Sequence, residues 1–235
     1  MIVGNGQLAR IFKNDAELPN DVVIFASGVS NSNCTDPNEF VKEEELLQKI
    51  LEELNGKSIV YFSSCALSDI KYLDIPYYAH KLHMESIIKK QTGKFYIFRL
   101  PQVFGKLKEH STLINFIYFS ILYGREFKLY VNSYRYVIDI DDVLTLVTNI
   151  VSNVTPGLVI NLANSYKYGL PEIVREIEFI LNKKAKTIFV DKNDSYNINL
   201  SDLNEIVLKL NLNLNFGRDY LTERLQKRHG DFNII

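Results

Sequence analysis

A chain of 235 residues can bury one good core, or one main domain with a small additional lobe, because domains usually span about 100 to 200 residues. Its 27 lysines and arginines nearly balance its 28 acidic residues, and no long run of a single charge occurs. This balance argues against nucleic acid and against an anionic membrane as partners.

The cysteines and the N-terminal sequence indicate the cellular compartment in which the protein is expected. Cys34 and Cys65 lie outside any CxxC or Cys/His cluster, so we expect neither a structural metal nor a disulfide framework. The start, MIVGNGQLARIF, lacks a basic stretch followed by a long apolar run, and no segment reaches about 18 uninterrupted apolar residues. We expect a soluble, unexported, cytoplasmic protein.

Short apolar runs alternate with helical patterns in the first 100 residues. The runs are apolar on both faces, as buried parallel strands require. Amphipathic helices are predicted between them. The alternation predicts an α/β fold, a Rossmann-like doubly wound parallel sheet. The predicted strands span 1–3, 21–26, 58–63 and 94–100, and the helices 36–54 and 76–91.

The second half of the chain is more irregular. The patterns predict helices over 112–124 and 141–151, a strand over 134–140, and a small C-terminal α/β lobe. The lobe's elements are predicted over 170–183, 187–190 and 201–210. We predict a main domain over 1–155 and a small lobe over 156–235, the lobe interleaved with 99–135.

A glycine-rich turn follows the first predicted strand. GNGQLA (4–9) is a GxGxxA pattern, in which two glycines let the backbone approach a pyrophosphate and the small third residue lets the helix pack. A tight turn without a ligand would use the same residues, so both interpretations stay open. Gly4, Gly6, Gln7 and Leu8 are the candidate cofactor contacts.

A tyrosine and a lysine are spaced for acid-base chemistry. In YYAHKLHME (77–85), Tyr77 and Lys81 lie at i and i+4 and share one helical face. A phenol has an ordinary pKa of about 10, so it works at neutral pH only if a nearby cation stabilises its phenolate. Upstream, FSSCALSD (62–69) places hydroxyls at the carboxyl end of a strand, where open α/β sheets bind ligands.

Together these segments resemble a known family. The chain is similar to the extended short-chain dehydrogenase/reductases, specifically the NAD-dependent epimerase/dehydratase group that modifies nucleotide sugars. FSSCA (62–66) resembles the family's Ser-Ser-Ser-Ala stretch, and YYAHKLHME its Tyr-x-x-x-Lys-x-x-x-Glu helix. The segments FRLPQVFG (98–105), RYVIDIDDV (135–143) and LVINLANS (158–165) also match family motifs, the last of them the strand that opens the substrate lobe.

The resemblance implies roles for the acid-base residues. Tyr77 would exchange a proton with a sugar oxygen, and Lys81 would lower the pKa of Tyr77 and hold the ribose of NAD or NADP. Ser64 would hydrogen-bond the same sugar oxygen, and Ser63 would do so if the match slips by one residue. Cys65 is either a second acid/base or a small buried thiol.

It also implies the remaining contacts. Ala26, the last residue of the strand 21–26, and Ser27, in the loop that follows, would touch the cofactor. Arg135 would pair with the diphosphate of a nucleotide sugar, and Gln102, in place of a usual asparagine, would contact the substrate. The main domain would then bind the cofactor and the lobe the sugar nucleotide. A homodimer formed through the Tyr77 helix is the default expectation.

Departures from the family pattern concern the adenosine side. Gly4 and Asp21 are 17 positions apart, which leaves room for one crossover helix and none for two further strands. We therefore predict that the first strand lies beside 21–26 as the edge of a sheet that lacks two edge strands. The acidic ribose ligand is missing, and Glu44 falls near a usual asparagine.

Two hypotheses follow. The first is an NAD(P)-dependent enzyme that modifies a nucleotide-linked sugar as an epimerase, dehydratase or 4-keto reductase. The second is a non-catalytic relative that binds a sugar nucleotide or a protein partner. The Ser64, Tyr77 and Lys81 set favours the first, and the missing adenosine half favours the second.

Overall fold

The computed structural model describes residues 1–13, 15, 17–107 and 112–233. The strands, in chain order, are β1 (Ile2–Val3), β2 (Val22–Phe25), β3 (Ser58–Ser64), β4 (Phe95–Leu100), β5 (Gln102–Phe104), β6 (Glu126–Tyr130), β7 (Tyr134–Arg135), β8 (Val137–Asp139), β9 (Leu158–Asn161), β10 (Tyr168–Gly169) and β11 (Lys186–Val190). The α-helices are α1 (Gln7–Phe12), α2 (Pro37–Glu52), α3 (Pro76–Gln91), α4 (Leu113–Leu122), α5 (Ile140–Asn153), α6 (Leu170–Leu181), α7 (Ser201–Lys209) and α8 (Tyr220–Asn233). The chain forms two compact units, unit 1 (Met1–Leu100, Asp141–Leu162 and Ile198–Leu212) and unit 2 (Pro101–Ile140, Ala163–Asn197 and Asn213–Ile235).

Unit 1 is built on a parallel five-stranded sheet with the order β1-β2-β3-β4-β9. β1 pairs directly with β2, with Ile2 opposite Ile24 and Val3 opposite Phe25. The prediction that the first strand lies beside 21–26 as the sheet edge is therefore confirmed.

Both faces of this sheet are covered. On one face, Val23, Ile59 and Ile97 pack with apolar side chains of α2 and α3. On the other, Phe62 of β3 stacks on Phe12 of α1, with ring centroids 5.8 Å apart. Strands buried on both faces read as continuous apolar runs, which is how they were found in the sequence. The predicted α/β class and doubly wound sheet are confirmed.

The strand β9 belongs to the sheet of unit 1. It pairs in parallel with β4, with Tyr96 opposite Leu158, and the substrate lobe that the resemblance has it open stays a prediction. Without β9, the second edge of β4 would leave a row of backbone groups unpaired. α7 packs against β9, so residues 198–212 also belong to unit 1.

Unit 2 contains three two-stranded sheets around its own apolar core. β5 pairs in parallel with β8, β6 with β11 in parallel, and β7 with β10 in antiparallel fashion. The single strand predicted over 134–140 is wrong, because β7 and β8 pair with different strands and the chain changes course between them. The core is formed by apolar side chains of α4, α6 and α8, among them Ile117, Ile173, Ile177 and Leu225. The functional division at residue 155 stays a prediction.

Candidate functional site

Ser64, Tyr77 and Lys81 all lie in unit 1. Ser64 is the last residue of β3, and its half-buried hydroxyl oxygen accepts a hydrogen bond of 3.3 Å from the Ala66 backbone N–H, which caps a short 3-10 helix. α3 packs against β3 and begins at Pro76, whose fixed φ suits a first helical position. Tyr77 follows in the first turn and Lys81 one turn later, with the Lys81 Nζ 5.8 Å from the centre of the Tyr77 ring. The predicted pairing of tyrosine and lysine on one helical face is therefore present.

Tyr77 is held in its protonated form. Burial raises the pKa of its phenol above the ordinary value, and electrostatic interactions with the neighbouring Tyr78 phenol and the Glu43 carboxylate reinforce that shift. The ring of Tyr77 packs edge-on against Tyr78, with centroids 4.9 Å apart. Within the described part of the chain, its hydroxyl makes no hydrogen bond. The pKa of Tyr77 is thus raised, which is opposite to the lowering that the resemblance implied.

The Lys81 ammonium is hydrogen-bonded to groups other than Tyr77. Lys81 is only 2% exposed, and its Nζ donates hydrogen bonds to Glu43 Oε1 at 3.0 Å and to the Tyr61 hydroxyl at 3.1 Å. The Tyr61 hydroxyl in turn donates to the same Glu43 oxygen at 2.8 Å. Burial lowers the pKa of Lys81, and the charge of Glu43 opposes this shift. The positive charge of Lys81 is therefore balanced by a carboxylate and does not act on Tyr77 alone.

Glu43 is the functional candidate that the sequence reasoning missed. It is 3% exposed, and its Oε2 accepts a hydrogen bond of 2.7 Å from the Val29 N–H and lies 3.0 Å from His80 Nε2. Burial opposes ionisation of Glu43, but the contacts with His80, Lys81 and Val29 lower its pKa to about 2. Its side chain is consequently a carboxylate at neutral pH.

A sequence signal for Glu43 did exist. Glu43, Leu47, Ile50 and Leu51 are the buried residues of α2 and have the spacing of one helical face. A carboxylate on an apolar stripe requires a buried partner. Glu44, which falls near a usual asparagine of the family pattern, is half-exposed and pairs with His83 at 3.2 Å.

A second buried carboxylate engages Ser63. The Ser63 hydroxyl donates to Glu85 Oε1 at 2.7 Å, and Arg99 donates to both oxygens of Glu85 at 2.8 Å. Cys65 is fully buried, and its thiol donates to the Arg99 carbonyl at 3.0 Å. Burial raises the pKa of this thiol. These contacts engage Ser63 and Cys65 within the protein, and Cys65 fits the interpretation as a packed thiol. The substrate contacts suggested for the two residues stay predictions.

The two glycines of the turn, Gly4 and Gly6, have different surroundings: Gly4 is packed against the chain and Gly6 is not. Gly4 has φ +120°, and a Cβ added there would come within 2.3 Å of the Ala26 carbonyl oxygen, so close packing on the end of β2 requires this glycine. A Cβ at Gly6 would meet no atom within 4 Å. Gln7 is exposed like Gly6, and Leu8 is half-buried. This side of the turn leaves room for a ligand, although α1 is a helix of only 6 residues.

The loop that follows β2 covers Lys81. Ala26 and Ser27 are half-buried at the end of β2. At the next residue, a Cβ added to Gly28 would lie 2.6 Å from Lys81 Nζ and 2.7 Å from Glu43 Oε1. The backbone at Gly6 is therefore open, whereas Lys81 Nζ is covered by Glu43 and by this loop.

The two predicted substrate residues, Gln102 and Arg135, belong to unit 2. Gln102 lies in β5, and its backbone N–H donates to the Tyr136 carbonyl at 3.2 Å. Arg135 Nη2 donates to Asp194 Oδ2 at 2.5 Å, and its Nη1 donates to the Asp194 carbonyl at 2.9 Å. The guanidinium of Arg135 thus already has an anionic partner.

Across residues 1–13, 15, 17–107 and 112–233, no helix is both long and apolar enough to cross a membrane. In the same ranges, no group of three or more His, Cys, Asp or Glu side chains is arranged to hold a metal ion.

The parallel sheet covered on both faces, with Tyr77 and Lys81 on α3 beside the end of β3, is the Rossmann-like fold of solved nucleotide-sugar epimerases. No family model matches the chain, and no curated protein matches it. UDP-N-acetylglucosamine 4-epimerase from Bacillus cereus superposes with a TM-score of 0.73 at 16% identity, covering 92% of this chain and 78% of that one. UDP-glucuronic acid 4-epimerase from Bacillus cereus, solved with UDP-glucuronic acid and NAD, gives a TM-score of 0.73 at 16% identity and covers 98% and 79%. RMD from Pseudomonas aeruginosa, complexed with NADPH, gives 0.68 at 17% identity and covers 93% and 82%. The resemblance stated from the sequence is confirmed for the fold.

Proposed function

We propose that this chain is an NAD(P)-dependent enzyme that modifies a nucleotide-linked sugar, as an epimerase, a dehydratase or a 4-keto reductase. The observation that carries the proposal is the Tyr77 and Lys81 pair on one face of α3, the helix that packs against β3, the strand whose last residue, at the carboxyl edge of the sheet, is Ser64. This is the edge at which parallel α/β sheets bind their ligands. A fold shared with an epimerase solved with a UDP-sugar and NAD supports the same class of substrate and cofactor.

The proposed chemistry divides between cofactor and protein. A bound nicotinamide ring supplies hydride transfer to or from a sugar carbon. Tyr77 moves the proton at the sugar oxygen: its phenol donates the proton when a keto group is reduced, and its phenolate accepts the proton when a hydroxyl is oxidised. The Ser64 hydroxyl, which donates no hydrogen bond within the described residues, donates one to the same sugar oxygen.

The remaining contacts of the proposal follow the sequence prediction. The cofactor would be held by Gly4, Gly6, Gln7, Leu8, Ala26, Ser27, Tyr77 and Lys81. Gln102 would contact the sugar, and Arg135 would exchange Asp194 for the diphosphate, to which a planar guanidinium fork is suited. A homodimer formed through α3 and a cytoplasmic location belong to the same proposal.

The test is a turnover screen. Purified protein is incubated with UDP- and dTDP-linked hexoses and with each of NAD⁺, NADH and NADPH, and products are identified by NMR and mass spectrometry. Tyr77→Phe removes one hydroxyl and is expected to lower turnover by at least about a hundredfold. Tyr78→Phe, its neighbour on α3, is the matched control and is expected to keep activity. Equal activity of Tyr77→Phe and wild type would refute the mechanism.

A second candidate function is favoured by one observation. Lys81 is paired with Glu43 inside the protein, so its positive charge is already compensated by a carboxylate. A non-catalytic protein that binds a sugar nucleotide would have this arrangement. Thermal stabilisation by a UDP-sugar, together with no turnover and no effect of NAD(P)H, would select this function.

A further inference from the structure

The Lys81 ammonium lies in a closed compartment. Tyr61 of β3 and Glu43 of α2 line this compartment, and both lie within hydrogen-bonding distance of Lys81 Nζ. The backbone at Gly28 closes it, because Lys81 Nζ and Glu43 Oε1 fill the space that a Cβ on Gly28 would need. Lys81 therefore cannot meet a ligand from outside without a local rearrangement.

One side chain joins all parts of this compartment. Glu43 Oε1 accepts from Lys81 and Tyr61, while Glu43 Oε2 accepts from the N–H of Val29, directly after Gly28. The same carboxylate thus neutralises the ammonium and ties down the loop that covers it. Hydrogen bonds to an ionised group are roughly twice as strong as neutral ones, so this double attachment is a firm one.

We propose that Glu43 is a positioning residue that keeps Lys81 from a bound dinucleotide, and that the cofactor ribose reaches Lys81 only when this carboxylate releases both the ammonium and the loop at Gly28–Val29. The part that concerns the dinucleotide rests on the proposed function. The part that concerns access to Lys81 does not.

Release of Lys81 has a measurable consequence for affinity. When the competent state is a fraction of the population, the apparent dissociation constant is the intrinsic one divided by that fraction. A variant in which Glu43 no longer holds Lys81 should therefore bind a dinucleotide more tightly than wild type. A closed state that holds about nine tenths of the molecules or more gives a gain of about tenfold or more.

The experiment compares three variants. Glu43→Gln removes the charge at nearly constant size, and Glu43→Asp keeps the charge but shortens its reach, so it is expected to fold if the first variant does not. Glu44→Gln changes the exposed neighbour on α2 and is the matched control. Circular dichroism first establishes that each variant is folded.

Two readouts are then taken on the folded proteins. Reductive methylation with formaldehyde, mapped by mass spectrometry, reports the rate at Lys81 relative to the exposed Lys42. Calorimetric titration with NADH and with NADPH reports affinity. We expect the Lys81 rate and the affinity both to rise about tenfold or more in Glu43→Gln, to rise less in Glu43→Asp, and to stay unchanged in Glu44→Gln.

The outcomes separate the two claims. An unchanged Lys81 methylation rate in a folded Glu43 variant would overturn the positioning role, whatever the titrations show. A faster rate with no dinucleotide bound at millimolar concentration by any variant would support control of access by Glu43 and overturn the proposed function. A faster rate with tighter binding supports both.

Discussion

Lys81→Met tests whether the buried ion pair with Glu43 is as strongly coupled as its geometry indicates. The two charged atoms are 3.0 Å apart, with side chains 3% and 1% exposed. At an effective dielectric constant of about 20, unit charges at that separation attract by about 5 kcal/mol. Much of this attraction offsets the cost of removing both charges from water, so the useful quantity is the cost of removing only one of them.

Removing one partner of a buried pair typically destabilises a protein by about 3 to 5 kcal/mol, because the other charge remains buried without compensation. We expect a loss in this range for Lys81→Met and for Glu43→Gln. The double variant should lose less than the sum of the two, with a coupling free energy of about 3 kcal/mol.

The assay is urea unfolding of wild type, both single variants and the double variant, followed by far-UV circular dichroism. The pair formed by Lys42 and Glu39 is the control cycle, since its side chains are 69% and 51% exposed. Its coupling should stay below about 0.5 kcal/mol. A coupling equally small for Lys81 and Glu43 would refute the account of a buried, mutually compensating pair.

Three further predictions concern stability. The folded pKa of Glu43, about 2, lies below the ordinary 4.5, so the stabilisation by this carboxylate is present above pH 4.5 and is lost as the pH falls towards 2. Between neutral pH and pH 3, wild type should lose about 2 kcal/mol of unfolding free energy through this group, a loss that Glu43→Gln should not show. Urea midpoints of the two proteins, measured over a pH series, that fall in parallel would contradict this prediction. Gly4→Ala should destabilise the protein by about 1 to 3 kcal/mol, because Gly4 has a positive φ and lies against the Ala26 carbonyl. Gly6→Ala should change the stability by less than about 0.5 kcal/mol. Equal melting temperatures of the two variants would contradict this prediction. Glu85→Gln should lower the unfolding free energy by about 3 kcal/mol or more, because it breaks the buried ion pair with Arg99. Lys89→Ala, which removes the more exposed partner of Glu85, should cost less than about 1 kcal/mol in the same urea assay. A larger loss for Lys89→Ala than for Glu85→Gln would contradict this account of the Glu85 network.

The sheet of unit 1 was predictable because its signals are local. Strands buried on both faces appear as apolar runs, and the 17 positions from Gly4 to Asp21 limit what can lie between the first two strands. Long-range pairing was not readable in this way. The strand Leu158–Asn161 has the composition of many strands, and its position in the sheet depends on the open edge of β4.

Unit 2 was harder to predict for a related reason. β6 alternates buried Phe127 and Leu129 with the exposed charges of Glu126 and Lys128, which is the pattern of a strand with one buried face. The strand was not predicted, because it has only 5 residues and directly follows the longer apolar pattern of α4. α8 carries few apolar residues, and it is positioned by packing, with Leu221 and Leu225 in the core of unit 2.

The site was predicted in its residues but not in its electrostatics. The spacing of Tyr77 and Lys81 is fixed by the helix, so their proximity followed from the sequence. The direction of the Lys81 ammonium depends on Glu43, which is 38 positions away and reaches it only through tertiary packing. Sequence spacing therefore identified the pair and could not determine its charge balance.

The most direct test of the proposed function is a calorimetric titration of the wild-type protein, freed of co-purified nucleotide, with NADH and with NADPH. The account predicts saturable binding of one dinucleotide per chain, with a dissociation constant below about 1 mM, an affinity of about −4 kcal/mol or better. No binding of either dinucleotide at millimolar concentration, by wild type and by folded Glu43→Asp alike, would contradict it.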